Sequence, residues 1–183
     1  MAKESRTKFV ILGLLANGVD SGYAIKKFIE KSVSHFWSES YGQIYPMLKK
    51  FTAEGMISEV VDTGKSKRDK KRFVIESSGQ KALSQWLETK TDMPTIRDEM
   101  LLKLFLCNSD KIGCGELLLK EQVSQFTESL DELLIIESQL LKVEHSSKVF
   151  WLASVRFGIS SCRQRIEWAQ DTMKDLKKAQ LQK

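Results

Sequence analysis

Two clusters of side chains in the first half of the chain have the chemistry to hold a polyanion. One is the stretch SYGQIYPMLKKFTAEG, Ser40 to Gly55. Read as a helix, it puts Ile44, Met47, Leu48 and Phe51 on one apolar stripe. Gly42, Tyr45, Lys49, Lys50 and Ala53 fall on the other side. A face of Gly, Tyr and two Lys is small, basic and hydrogen-bonding, which suits phosphates and base edges. The same face is also what an ordinary solvated amphipathic helix presents. The second cluster follows directly. Between Lys65 and Arg72 stand six basic residues (Lys65, Lys67, Arg68, Lys70, Lys71, Arg72) and one acid, Asp69.

The elements that must position these groups can be read around them. Ser40 and Gln43 have the spacing of a capping box at the start of the helix, and Gly55 stands where a left-handed C-cap is wanted. Pro46 breaks the pattern: inside a helix begun at Ser40 it would remove a backbone bond to Gly42 and bend the first turn. MISEVV (Met56 to Val61) and RFVIE (Arg72 to Glu76) read as two strands. The basic run would then be the tip of a β-hairpin following a groove-reading helix, a winged helix-turn-helix order. Upstream, a first buried helix covers about Arg6 to Ala16 and ends at Asn17-Gly18. Ser21 caps a second, from Gly22 to about Ser32, with Ala24, Ile25, Phe28 and Ile29 inward. The helix before the reader crosses the DNA backbone in such folds, which makes Tyr23, Lys26 and Lys27 further phosphate candidates; a solvated surface is the equal alternative for the two lysines. His35, Phe36 and Trp37 lie in the connection, with packing the default for the aromatic pair.

After the hairpin, Ser77-Ser78-Gly79-Gln80 opens a helix carrying Ala82, Leu83, Trp86 and Leu87. Thr89 to Thr95, with Pro94, is polar and aperiodic, and divides the chain into domains 1–91 and 92–183. Ile96 to Cys107 presents Met100, Leu101, Leu104 and Phe105. Two long helical patterns follow. Leu119, Val123, Phe126, Leu130, Leu133, Glu137 and Leu140 mark the first. Leu152, Val155, Ile159, Cys162, Ile166, Ala169, Met173 and Leu176 mark the second. Alternating steps of three and four give the 3.5-residue period of coiled-coil seams. Leu118, Leu134, Leu141, Phe157 and Trp168 fall off the seams and ask for a further partner. The expectation is a helical dimerisation domain, with Leu152, Val155, Ile159, Ile166, Met173 and Leu176 at the contact. A monomeric helical hairpin is the alternative. The fold class is thus mainly α with a small β-wing.

Charge and composition agree with this division. The chain of 183 residues carries a net charge of +5, and all of the excess lies in Met1–Asp92, the half to suspect of touching nucleic acid. Cys107, Cys114 and Cys162 are odd in number and scattered, as in a reducing cytoplasm. Their spacing fits no zinc pattern, and only His35 and His145 could add nitrogen ligands, so neither metal nor cofactor is expected. Lys3, Arg6 and Lys8 before the run Phe9 to Ala16 superficially resemble a signal peptide, but the run is short and lacks a cleavage site. No stretch approaches the ~18 apolar residues of a membrane span. No Ser/His/Asp set or nucleotide-binding glycine loop points to an enzyme.

The blocks FVILGLLA, SGYAIKKFIEKS and SYGQIYPMLKKFTAEGMI together resemble the PadR family of transcriptional regulators. The most specific mark is Gly-x-x-Tyr-Pro-x-Leu, here Gly42, Tyr45, Pro46 and Leu48. RDEMLLKLFL and FGISSCRQRIEWAQ are similar to the longer subfamily with dimerising C-terminal helices. The resemblance spans essentially the whole chain and accounts for Pro46, which members keep within the reader helix. It implies a bacterial, cytoplasmic, dimeric DNA-binding regulator, more often a repressor than an activator, which in some members answers to phenolic acids or other aromatics. On that basis Tyr45, Lys49 and Gln43 are expected at or near base edges, and Ser40, Tyr41 and Lys50 on phosphates. Lys67, Arg68, Lys70 and Lys71 would follow the backbone or minor groove. Gln43 is the weakest of these, since its own cap could occupy it. Phe150, Trp151, Arg156 and Trp168, with Phe157, could line an effector pocket, although packing is the simpler role for them. The rival reading is a winged-helix module that binds an acidic protein partner.

Overall fold

The structure, a computed structural model, describes residues 6–32, 37, 41–61, 71–94 and 96–181. The chain divides into two compact units, Met1–Asp92 and Met93–Lys183.

The first unit is built on α1 (Thr7–Ala16). Phe9, Ile11, Leu12, Leu14 and Leu15 are all buried, so this helix is apolar on most of its circumference and its neighbours pack around it. It closes at Asn17 with Gly18 at φ 82°. The Gly18 amide donates to Leu15 and the Val19 amide to Leu14, the paired bonds of a Schellman motif. In α2 (Gly22–Lys31) the Ser21 hydroxyl accepts from the Ala24 amide at 3.3 Å, and Ile25 and Ile29 point inward. A 3-10 turn (Tyr41–Gln43) leads into α3 (Ile44–Ala53). The strands β1 (Ile57–Val61) and β2 (Lys71–Ile75) pair antiparallel, with Ile57 opposite Ile75 and Glu59 opposite Phe73. Alternation buries Ile57, Phe73 and Ile75 and leaves Val60 and Val74 outside. Finally α4 (Ser77–Leu87) returns to α1, where Trp86 stacks on Phe9 with ring centroids 4.5 Å apart.

The first turn of α4 departs from the Ser-x-x-Gln cap that the spacing of Ser77 and Gln80 suggests. Its N-cap is Glu76, which makes no side-chain cap bond, and the Ser78 hydroxyl donates instead to the Gly55 carbonyl at 2.6 Å. This turn lies directly on the α3–β1 connection. A Cβ on Gly79 would stand 2.4 Å from the Met56 carbonyl oxygen, a backbone atom already fixed by the Glu76 amide. Gly79→Ala should therefore cost the first unit ~1–3 kcal/mol through overpacking, read as a lower urea midpoint at unchanged slope. An unaltered midpoint would mean that the turn relaxes freely.

The second unit opens with α5 (Glu99–Leu106), whose N-cap Asp98 accepts from the Leu101 amide at 3.0 Å. The Leu101 bond, followed by the Arg165 guanidinium at 2.5 Å, holds the Asp98 carboxyl below its ordinary range. That contribution to stability is complete above the usual carboxylate pKa and is lost as pH falls through the lowered one. None of α5 is buried: Met100 and Leu104 are half-covered, whereas Leu101 and Phe105, expected inward, are exposed. One helix flank of α6 cannot cover so wide an apolar surface.

Beyond a 3-10 turn (Ser109–Lys111), α6 (Ile112–Leu140) and α7 (Lys148–Leu181) form an antiparallel hairpin. The register is read from contacts along its length. Gly115 meets Leu176, Phe126 meets the Arg165 guanidinium at 5.6 Å, and Gly158 meets Leu133. Arg156 pairs with Glu137 at 2.6 Å. At the reversal His145 stacks on Trp151, and the Lys148 ammonium donates to the Leu141 carbonyl. The 3.5-period seams face each other here: Leu133, Ile159 and Cys162 are buried together, flanked by Phe126, Leu130, Ile136 and Val155.

Candidate nucleic-acid interface

The exposed face of α3 is made by the way its opposite face is anchored. Ile44, Leu48 and Phe51 are at most 1% exposed, with Met47 packed beside them. The helix ends in a second Schellman motif, the Gly55 amide on Thr52 and the Met56 amide on Phe51, with Gly55 at φ 67°. Both ends of the apolar stripe are thus fixed, and rotation about the helix axis is not free. Tyr45 and Lys49, one turn apart, are left facing outward, with Lys50 and Gln43 beside them.

The start of the helix corrects the sequence reading. The α-helix begins at Ile44, four residues after Ser40, and its N-cap Gln43 makes no side-chain cap bond. Ser40 lies outside the described residues. Pro46 is consequently the third residue of α3, in the first turn, where its missing N–H would have had no intrahelical partner. The apparent conflict at Pro46 came from starting the helix too early. The Gln43 side chain is exposed and makes no cap bond to the first turn of α3.

Tyr45 is 59% exposed, yet it is not loose. A Cβ added to Gly22 would come within 2.6 Å of the Tyr45 Cε1 atom, so the ring lies on the first turn of α2 and needs a glycine beneath it. Sequence reasoning used Gly22 only as a helix start. The signal available was its place next to the Ser21 cap, which implies nothing about a ring from another helix. Tyr23, adjacent, is 68% exposed.

Several cations are tied to acids on the same surface. Lys50 pairs with Glu54 at 3.7 Å, Lys26 with Glu30 at 3.7 Å and Lys71 with Glu59 at 2.9 Å. All are exposed pairs of small energetic worth, readily exchanged for a phosphate. Lys49 has no acidic partner among the described residues. Arg72 belongs to the frame: its guanidinium meets the Asp20 carboxylate at 3.2 Å while the Phe73 amide donates to the Asp20 carbonyl at 2.7 Å. Together these bonds fix the root of the hairpin to the α1–α2 turn. Lys67, Arg68 and Lys70 lie outside the described residues, as does the Tyr41 side chain.

The aromatic set expected for an effector does not converge within one chain. Trp151 is occupied by His145 at the reversal, Arg156 by Glu137, and Phe150 is 72% exposed. Trp168 is seventeen residues beyond Trp151 on the same helix, roughly 26 Å along its axis. Ile159, expected at the dimer contact, is 4% exposed against Leu133 of its own chain. Val155 joins that cluster, Leu176 meets Gly115, and Leu152, Ile166 and Met173 are half-buried along the same seam. An open depression of about 460 Å³ between the start of α5 and the middle of α6 is lined by Asp98, Met100, Gln122, Gln125 and Phe126 among others. Among the described residues no cluster of three metal-binding side chains occurs, and no helix is long and apolar enough to cross a membrane.

Comparison with known proteins agrees with this geometry. Residues 11–85 match the transcriptional regulator PadR-like family and residues 96–177 the virulence activator alpha C-terminal family. The negative transcriptional regulator PadR of Bacillus subtilis is 35% identical over 127 residues, covering 69% of this chain and 70% of that protein. The crystal structure of B. subtilis PadR in complex with operator DNA superposes with a TM-score of 0.79 at 26% identity, over 94% of this chain and 99% of that one. The same protein in complex with p-coumaric acid gives 0.77 at 24% identity, over 97% and 99%. The chain is a non-enzymatic regulator of transcription with a winged-helix unit and a long-helix unit, and it belongs to the PadR-like family.

Proposed function

We propose that the protein is a cytoplasmic, homodimeric repressor that binds an inverted-repeat operator through two copies of α3. The observation that carries this reading is the outward face of α3. Tyr45 and Lys49 are held in fixed orientation by a buried stripe behind them, and a basic hairpin tip follows in sequence. A relative of 26% identity is found on operator DNA, which favours a DNA partner over an acidic protein. In this reading Tyr45, Lys49 and Gln43 reach base edges, and Ser40, Tyr41, Lys50 and Tyr23 hold phosphates. The hairpin's Lys67, Arg68, Lys70 and Lys71 follow the backbone or minor groove.

Dimerisation uses apolar residues that the hairpin leaves outside. Leu102, Phe105 and Leu106 of α5, Ile135 of α6 and Phe157 of α7 are each more than half exposed, an apolar excess of the kind that marks association. For a small aromatic effector, the depression beside Phe126 is a better host than the dispersed α7 set. It brings a ring, two amides and the Asp98 carboxylate together.

Selection of bound genomic fragments with the purified protein tests the function directly. The expected result is an inverted repeat with half-site centres ~10 bp apart or a multiple of it. Direct repeats, or no enrichment, would count against it. The wing has a separate signature. Lys67→Ala with Arg68→Ala removes two charges per protomer, so the slope of log K against log salt should fall by at most ~3.6 in the dimer. The ratio of operator to random-DNA affinity should hardly change, because phosphate contacts carry no sequence information. A collapse of that ratio would make the wing a reader.

A further inference from the structure

The α5 helix is tied to the rest of its unit near both of its ends. It has eight residues, none of them buried, and a free helix of that length is unstable in water. Its best-covered apolar side chains, Met100 and Leu104, are half-buried. Toward the C-terminal end Leu104 lies over α6 at Gly115, where a Cβ on the glycine would stand 3.4 Å from the Leu104 Cδ1 atom. At the N-terminal end the tie is polar. The Asp98 Oδ1 atom accepts from the Leu101 amide at 3.0 Å and caps the helix, while Oδ2 accepts from the Arg165 guanidinium of α7 at 2.5 Å. That guanidinium also stands 5.6 Å from the centre of the Phe126 ring of α6. One arginine thus joins α5, α6 and α7. The paired Arg165 and Asp98 side chains are 30% and 18% exposed, so water screens them less than the exposed pairs farther along α7.

The Asp98 and Leu104 ties are roughly 9 Å apart along the helix axis. Either alone is a pivot; together they set the direction of α5 and the way its outer face is turned. That face carries Leu102, Phe105 and Leu106, each more than half exposed. We propose that Asp98 and Arg165 are positioning residues for dimerisation: their ion pair holds α5 on the α6–α7 hairpin at the angle at which a second copy of the chain takes its apolar face. The inference rests on the assignment of that face to the dimer contact made above. An ion pair suits this task better than more apolar surface. Apolar contacts slide, whereas the bond between a planar guanidinium and a carboxylate has a preferred direction. Without the pair, α5 keeps its cap and its contact at Gly115 but loses its second fixed point. Ordering the helix then falls on the dimer contact itself, which weakens by the fraction of chains in which α5 is out of place.

Asp98→Asn separates the pair from the cap. Asparagine caps a helix as well as aspartate does, but with its oxygen on the Leu101 amide its NH2 group faces the guanidinium, donor against donor. Arg165→Gln removes the charge from the other side, and Arg165→Lys keeps it. Hydrogen–deuterium exchange of the α5 amides is followed in the full-length chain, at concentrations where wild type and variant sediment as the same species. Asp98→Asn and Arg165→Gln should each speed exchange in α5 by ~10- to 100-fold, the loss of one charge-assisted bond. The amides of α6 and α7 around Ile159 should not change. The double variant should exchange no faster than the faster single one, and Arg165→Lys should lose less than Arg165→Gln. By sedimentation equilibrium, Asp98→Asn should raise the dimer dissociation constant at least ~tenfold. Unchanged α5 exchange in both single variants, or additive effects in the double one, would overturn the proposal. So would faster exchange throughout α6 and α7, which would make the pair a support of the hairpin as a whole. Phe105→Glu tells this failure from failure of the dimer assignment. A weaker dimer for Phe105→Glu with none for Asp98→Asn keeps the α5 face as the contact and overturns the positioning role alone. An unchanged dissociation constant for both variants overturns the assignment of the face and the inference with it.

Discussion

Lys49→Ala and Tyr45→Ala should each weaken operator binding by ~1–3 kcal/mol per half-site, and so by ~2–6 kcal/mol in a dimer that uses both. In affinity this is roughly 30-fold to 20,000-fold. Binding to random DNA should fall much less, because a base-edge contact is worth little where the base is wrong. The two residues differ in how cleanly they can be removed. Lys49 is exposed without an acidic partner among the described residues, so its loss should leave the fold alone. Tyr45 packs on Gly22, and its truncation exposes the first turn of α2. Gly22→Ala separates the two effects. The added Cβ would stand 2.6 Å from the ring, so the ring must move while its hydroxyl chemistry is kept. Operator affinity should then drop with little change in the urea midpoint. Operator and random-DNA affinities measured across a salt series decide the matter. Equal losses on both DNAs for Lys49→Ala would reduce that residue to a phosphate contact. An unchanged operator affinity for Gly22→Ala would mean that the position of the Tyr45 ring is irrelevant.

Ile159→Glu and Phe157→Glu, two residues apart on α7, should have opposite consequences. Ile159 is 4% exposed inside the seam, whereas Phe157 is 72% exposed. A carboxylate at the first position has neither water nor a cation, and should destabilise the second unit by more than ~4 kcal/mol. At the second position it should shift stability by only ~0.5 kcal/mol while weakening the dimer by ~2 kcal/mol if the ring is a central anchor. Urea unfolding followed by circular dichroism, together with sedimentation velocity, reads both quantities. Should Ile159→Glu give a stable, fully helical monomer, the seam would lie between protomers. Should Phe157→Glu leave the dissociation constant unchanged, the contact must run through α5 or α6.

This pair also shows where the sequence stopped being informative. A 3.5-residue period announces that two helices will bury a seam together, and both seams were legible residue by residue. Periodicity contains nothing about whether the partner helix belongs to the same chain. The short connection around His145 was the available clue, since it lets α7 fold back on α6 before any second chain arrives. Pro46 illustrates a boundary error of the same kind. The stripe Ile44, Met47, Leu48, Phe51 was read correctly, but the Ser-x-x-Gln spacing at Ser40 drew the helix start too far forward, and the proline then looked like a fault. The Gly55 cap was legible because a positive φ after an apolar run has few other solutions. Gly22 and Gly79 were not, because each is required by an atom distant in sequence: a ring from α3, a carbonyl from the α3–β1 turn.

The closed seam also bears on how partners are exchanged. Each α6–α7 hairpin satisfies its own core, so a protomer reaches the encounter already folded and meets its twin as one finished surface meeting another. With the dimer contact on the outer residues proposed above, separation would cost only that contact and leave no unfolded intermediate to be cleared. Two populations mixed in a test tube should redistribute at the rate of dissociation, far below the barrier to melting the helices. In a cell that holds several relatives with the same outer surface, the composition of each pair would follow the abundances of the chains present, and mixed pairs would read operators with unlike halves.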